Sequence, residues 1–111
     1  RGKSFDTFAP CGPWITSTDE VADPQNLQLI TRINGQVRQN SSSKNMFIGI
    51  PSIVSQLSKV MTLEKGDIIA TGTPEGVAMN NPDFPFLKDG DSIEMEIEKL
   101  GKIQNTVKFI D

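Results

Sequence analysis

Two stretches of this chain combine residue types that could do chemistry: Lys3-Ser4-Phe5-Asp6-Thr7 and, far downstream, Gly72-Thr73-Pro74-Glu75-Gly76-Val77. The first sets one cation among hydroxyls and a carboxylate. It then runs through Phe8-Ala9-Pro10-Cys11-Gly12-Pro13-Trp14, where Pro and Gly constrain the backbone. If exposed, Lys3 is an ordinary solvated cation. Among Phe5, Phe8 and Trp14, however, an ammonium needs an anionic partner or a lowered pKa. The second stretch follows Asp67-Ile68-Ile69-Ala70-Thr71, an apolar run that reads as a buried strand. A hydroxyl and free backbone N–H groups at a strand's end are well placed to hold an anionic oxygen. Read alone, Gly72-Thr73-Pro74 is most often just a turn after a strand. A phosphate-binding P-loop does not fit, because the glycine spacing is wrong and no Lys-Ser or Lys-Thr follows.

Together the two stretches resemble the fumarylacetoacetate hydrolase family. Residues 3–7 reproduce its Lys-Ser-Phe-Asp-Thr motif without a break, and residues 72–77 match its Gly-Thr-Pro-x-Gly-Val pattern. The resemblance covers residues 1–111 and implies part of one catalytic domain, the C-terminal half of a mixed β-sandwich or roll. It implies Lys3 as the catalytic cation that polarises a substrate oxygen. It further implies Thr7 as support for metal-site water, and Gly72 and Thr73 as contacts to the substrate's carboxylate or keto oxygen. Asp6 is assigned to structure. The implied cofactor is Mg²⁺ or Mn²⁺, with Ca²⁺ a further candidate. Its carboxylate ligands, and a His–Glu pair on a lid, are expected upstream of Arg1, so no metal ligand is assigned within this chain.

The implied substrate is a small 2-oxo acid, and the implied reaction is C–C bond cleavage such as acylpyruvate or fumarylpyruvate hydrolysis. In that chemistry the metal acts as a Lewis acid on the developing enolate, Lys3 shares the charge and Thr73 orients the substrate. Isomerisation of 2-hydroxyhepta-2,4-diene-1,7-dioate, as in aromatic catabolism, and oxaloacetate decarboxylation are the alternatives. The resemblance also implies a homodimer in the cytoplasm, or in mitochondria in a eukaryote. A reading of another class remains: a catalytically silent, β-rich piece that only completes a larger structure.

Composition narrows the classes. At 111 residues and 36% hydrophobic, the chain has the size of one small domain with a modest core. A net charge of −3 with scattered Lys and Arg offers no basic patch for nucleic acid or anionic membrane. No run approaches the roughly 20 apolar residues of a membrane span. There is no histidine, which excludes Ser-His and Cys-His machinery and His-rich metal sites within the chain. The single cysteine, Cys11, cannot form an internal disulfide and reads as a small, partly buried hydrophobe beside Trp14. Arg1-Gly2-Lys3 has neither an initiator Met nor a signal segment, and reads as the interior of a longer polypeptide.

The elements that must position these residues are mostly hairpins. Trp14-Ile15-Thr16-Ser17 could begin a strand, Thr18-Asp19-Glu20 a short helical turn, and Asp23-Pro24-Gln25-Asn26 a turn. Alternation predicts a strand over 27–33 and another from Gln36 to Gln39, joined by Asn34-Gly35, the pair a type I′ turn demands. Residues 40–45 read as a polar loop. Ile50, Ile53, Val54, Leu57, Val60 and Met61 mark the apolar face of one core-packed helix. Ile93, Met95 and Ile97 alternate with Glu94, Glu96 and Glu98, and the glutamates read as a solvent-facing stripe. A closing strand through Val107 and Phe109 returns beside them. The predicted class is mainly β with one packed helix, an α+β arrangement.

Overall fold

The computed structural model describes residues 5–110. Its frame is a four-stranded antiparallel sheet in the order β2-β1-β3-β4. Strands β1 (Gln28–Ile33) and β2 (Gln36–Ser42) form one hairpin, and β3 (Ser92–Ile97) and β4 (Gly101–Thr106) the other. The long-range pairing of β1 with β3 joins them. Asn34 (φ 51°) and Gly35 (φ 79°) both hold the positive φ that the first hairpin's tight turn needs. Asn34 also ties the hairpins together. Its amide donates to Asp91 Oδ1 at 2.9 Å, and its side-chain oxygen accepts from the Ser92 N–H at 2.9 Å.

Several elements differ from the sequence reading. β2 does not end at Gln39 but runs to Ser42, into a short 3₁₀ turn, Ser43–Asn45. The reason is local: Ser43 Oγ accepts from the Leu27 N–H and donates to the Pro24 carbonyl, which holds the polar segment in register. Residues 14–17 and 67–71 form no strand. Ile68 is 81% exposed, since an apolar run becomes a buried strand only when another strand pairs with it. Cys11 is exposed rather than partly buried. Trp14 instead packs against Gly101 (φ 94°), where a methyl group would come within 2.6 Å of the indole.

The helix α1 (Ile50–Leu57) starts where periodicity places it, with Pro51 in its first turn, but it ends before Val60 and Met61, which the sequence put on its apolar face. Its start is held by Gln25, whose side-chain oxygen accepts the Ile50 N–H at 3.0 Å. The expected core packing is not observed. No residue of α1 is buried, and Val60, just beyond it, is 78% exposed. Among the described residues only Val21 and Leu27 are buried hydrophobics. The accessible surface is 9157 Å², against about 6100 Å² for a compact 12.2 kDa protein. An apolar face exists, but the described residues do not cover it. No helix is long and apolar enough to cross a membrane.

Glu94 and Glu96 do lie together on one face, where the Arg32 guanidinium bridges them at 2.8 and 3.2 Å and Lys102 reaches Glu94 at 3.2 Å. Lys102 and then Arg32 hold the Glu94 carboxyl below its ordinary value. The Asn34 amide and then the Lys88 N–H do the same for Asp91. The unfolded chain therefore takes up these protons at higher pH than the folded one. The stabilisation is complete above the ordinary carboxylate range and is lost as pH falls through the depressed folded values. Urea midpoints are expected to be flat near neutrality and to fall below about pH 4. Glu94→Gln should flatten part of that fall, and an unchanged pH curve in this variant would show that the ion-pair network contributes nothing.

Candidate active site

The site is built on an irregularity in the first hairpin. A two-residue turn places Ile33 opposite Gln36 and Arg32 opposite Val37, but Thr31 then faces Gln39 instead of Arg38. Arg38 is thus the extra residue of a β-bulge. Bulges bend a strand and re-aim its side chains. Here strict alternation is broken, so that adjacent Arg38 and Gln39 both line the same apolar cleft of about 370 Å³ with Thr31, Val77 and Phe86. The Arg38 guanidinium rests over the Phe84 ring, 4.4 Å from its centroid, while its Nε has no hydrogen-bond partner among the described residues. That face-on geometry is a cation–π contact, and it anchors the loop around Asn81 and Phe84.

The loop 72–77 docks onto this bulge. Gly76 (φ 102°) passes so close to the Arg38 carbonyl that no side chain could be accommodated there. Gln39 completes the attachment. Its Nε2 lies 2.8 Å from Thr73 Oγ1, 3.0 Å from the Pro74 carbonyl and 3.2 Å from the Glu75 carbonyl. At the other end of the same amide, Thr31 Oγ1 donates to Oε1 at 2.9 Å. Thr73, Pro74, Glu75, Gly76, Val77, Arg38, Asn81 and Phe84 then enclose an open cleft of about 510 Å³, ample for a small organic acid. The side chains of its lining offer one hydroxyl, one guanidinium, the Asn81 carboxamide and the exposed carboxylate of Glu75.

Among known proteins, the family described as "Fumarylacetoacetate (FAA) hydrolase C-terminal" matches residues 1–108. The chain belongs to the fumarylacetoacetate hydrolase family. The mitochondrial oxaloacetate tautomerase FAHD2A of Bos taurus is 46% identical over 106 residues, which cover 96% of this chain and 34% of the relative. The fumarylacetoacetate hydrolase of Exiguobacterium antarcticum superposes with a TM-score of 0.93 at 45% identity, covering 98% of this chain and 39% of that one. Maleylpyruvate hydrolase from Sphingobium sp. SYK-6, solved with manganese(II) and pyruvate, gives 0.84 at 41% identity, covering 94% of this chain and 37% of that one. The chain thus spans about two fifths or less of the length of these relatives.

The residues that carry the family motifs fall unevenly in the structure. Gly72 and Thr73 sit in the clamped loop, with Thr73 on the cleft wall. Gly72 takes φ 102° with open space where a side chain would project, so its requirement is conformational. Thr7 occupies a turn closed by the Phe8 N–H to the Phe5 carbonyl at 3.2 Å. Its φ of 68° is rare for a β-branched residue. Thr7 lines neither cleft. Lys3 lies outside the described residues. Among those residues no group of three or more Asp, Glu or Cys side chains could hold a metal ion. Arg38 and Gln39 escaped the sequence reading as site residues. Their one available signal was proximity to the Asn34-Gly35 turn, which fixes where the strands start but says nothing of the bulge.

The two loop glycines separate conformation from contact. Gly72→Ala should cost roughly 1–2 kcal/mol, the strain of an L residue at positive φ. Gly76→Ala adds a collision with strand backbone, so its cost should exceed that of Gly72→Ala and reach or pass about 3 kcal/mol. Denaturant midpoints of the two variants in the full-length protein test the order, and equal effects would show that the loop is not seated on the bulge.

Proposed function

We propose that this chain supplies the acid-binding part of an enzyme that acts on a small 2-oxo acid, with C–C bond cleavage of an acylpyruvate-type substrate as the leading reaction. The observation that supports it most is the Thr73 loop, held by Gln39 against the β-bulge and facing a cleft that also holds Arg38. A carboxylate or keto oxygen there would receive a hydrogen bond from the Thr73 hydroxyl and the field of Arg38. Lys3, brought to the same pocket, would carry the negative charge that grows on oxygen as the bond breaks. Isomerisation, decarboxylation and keto–enol tautomerisation pass through the same enolate charge, and the named relatives divide among such activities. A divalent cation, Mg²⁺ or Mn²⁺, belongs to this reading by likeness to the manganese-bound relative. Its ligands would be groups other than those described, as would the second half of a β-roll and the partner of a homodimer.

In the full-length protein, with oxaloacetate and an acylpyruvate as substrates, Lys3→Met should lower kcat by at least about 100-fold with little change in KM. Thr73→Val should mainly raise KM. Treatment with EDTA should abolish turnover, and Mn²⁺ should restore it. A fully active Lys3→Met enzyme would overturn the assignment.

A second reading, that the chain by itself is a silent structural half, draws on the large uncovered surface. It predicts that the 111-residue chain alone binds the dye ANS and melts without a sharp transition, as a loosely packed state does. A cooperative melt with no dye binding would count against it.

A further inference from the structure

We infer that Gln39 is a positioning residue that fixes the direction of the Thr73 hydroxyl hydrogen; the inference rests on the reading of Thr73 as a ligand to a substrate oxygen. Donor and acceptor chemistry leaves little freedom. The amide nitrogen of Gln39 faces the Pro74 and Glu75 carbonyls at 3.0 and 3.2 Å. Carbonyl oxygens only accept, so this end of the amide must be the NH₂ group. That NH₂ is also 2.8 Å from Thr73 Oγ1, the shortest of its three contacts; it cannot accept, so its two hydrogens are shared among the hydroxyl oxygen and the two carbonyls, and the hydroxyl oxygen stands as an acceptor. At the far end an amide oxygen cannot donate, so the Thr31 hydroxyl gives its hydrogen to Oε1 at 2.9 Å. All hydrogens in the series Thr31, Gln39, Thr73 run one way.

The consequence lies in the cleft. With one of its lone pairs already engaged, Thr73 keeps its single hydrogen for another acceptor. A hydroxyl set in this sense favours a group with lone pairs and no hydrogen, a carboxylate or keto oxygen. It gives a poorer match to an amide N–H or a protonated enol at the same point. The bulge makes this possible, since regular pairing would put Arg38 opposite Thr31. Specificity at Thr73 would therefore be set one residue back, by a side chain that need not touch the substrate.

The test uses the full-length, Mn²⁺-loaded protein and oxalate, which at neutral pH carries oxygens and no hydrogen to donate. Titration calorimetry on Gln39→Met, Thr73→Val and the double variant should show oxalate binding weakened roughly 10- to 100-fold by either single change. The double variant should bind no more weakly than Thr73→Val, because Gln39 acts through Thr73. Thr73→Ser, which keeps the hydroxyl, should bind within a few-fold of the native protein. An unchanged Gln39→Met affinity, or a Gln39→Met loss that persists in full beside Thr73→Val, overturns the inference and leaves the reading of Thr73 intact. If Thr73→Val itself binds normally, that reading falls and the inference with it. Should Gln39→Met prove unfolded by circular dichroism, Thr31→Val replaces it. Its smaller loss should likewise vanish beside Thr73→Val, and a loss that survives there overturns the inference.

Discussion

A single close approach organises the site: the backbone of Gly76 against the carbonyl of Arg38. Only a residue without a side chain can come so near, and only a strand with an extra residue offers its carbonyl at that point. The bulge and the glycine are therefore one device. From it follow the positions of the Thr73 hydroxyl, the Gln39 amide that holds it, and the Arg38 guanidinium over Phe84. Each of these contacts is polar or aromatic, and each is made at the surface of the sheet. The loop is consequently held by geometry and hydrogen bonds rather than by burial.

That mode of attachment matters because burial is scarce. Two buried hydrophobics among the described residues, and an accessible surface some 3000 Å² above that of a compact domain, leave the hydrophobic effect little to act on. The frame holds its shape through strand pairing, the Asn34 link between hairpins and the Arg32–Glu94–Lys102 bridge. Arg32 and Glu94 are half-buried and Lys102 is exposed, and ion pairs this open to solvent contribute little each. They fix register more than they supply stability, and register is what the cleft needs.

Local signals in the sequence were legible where a single residue type answers a single backbone demand. Asn34-Gly35 could hardly do anything but turn a hairpin, Pro51 marked the helix start, and the alternation from Ile93 to Glu98 gave β3 its faces. Readings that depended on a partner failed. Ile68-Ile69 and Trp14-Ile15 look like strands because they are apolar, yet nothing among the described residues pairs with them. The periodicity of α1 announced a buried face, but periodicity reports what a helix can cover and not whether a cover is present. At the site, the Gly-Thr-Pro pattern pointed to Thr73. The bulge that places Gln39 beneath it leaves no trace in composition, because Arg38 carries no glycine or proline to mark it.

The chemistry of the cleft sets a division of labour. A hydroxyl and a guanidinium can orient an acid and favour charge on its oxygens. Neither exchanges a proton readily near neutral pH, and the chain contains no histidine that could. Glu75 is exposed and bears the same sign as an organic acid would. If the loop holds the acid group, the group that moves a proton or carries the new charge has to approach from the opposite side of the substrate. The Lys3 motif is the candidate within this sequence. A substrate held in that way would leave its reactive carbon facing that side. On the proposed reading, one loop geometry could serve hydrolysis, isomerisation or tautomerisation alike: the grip would stay the same, and the groups across the cleft would choose which bond is made or broken.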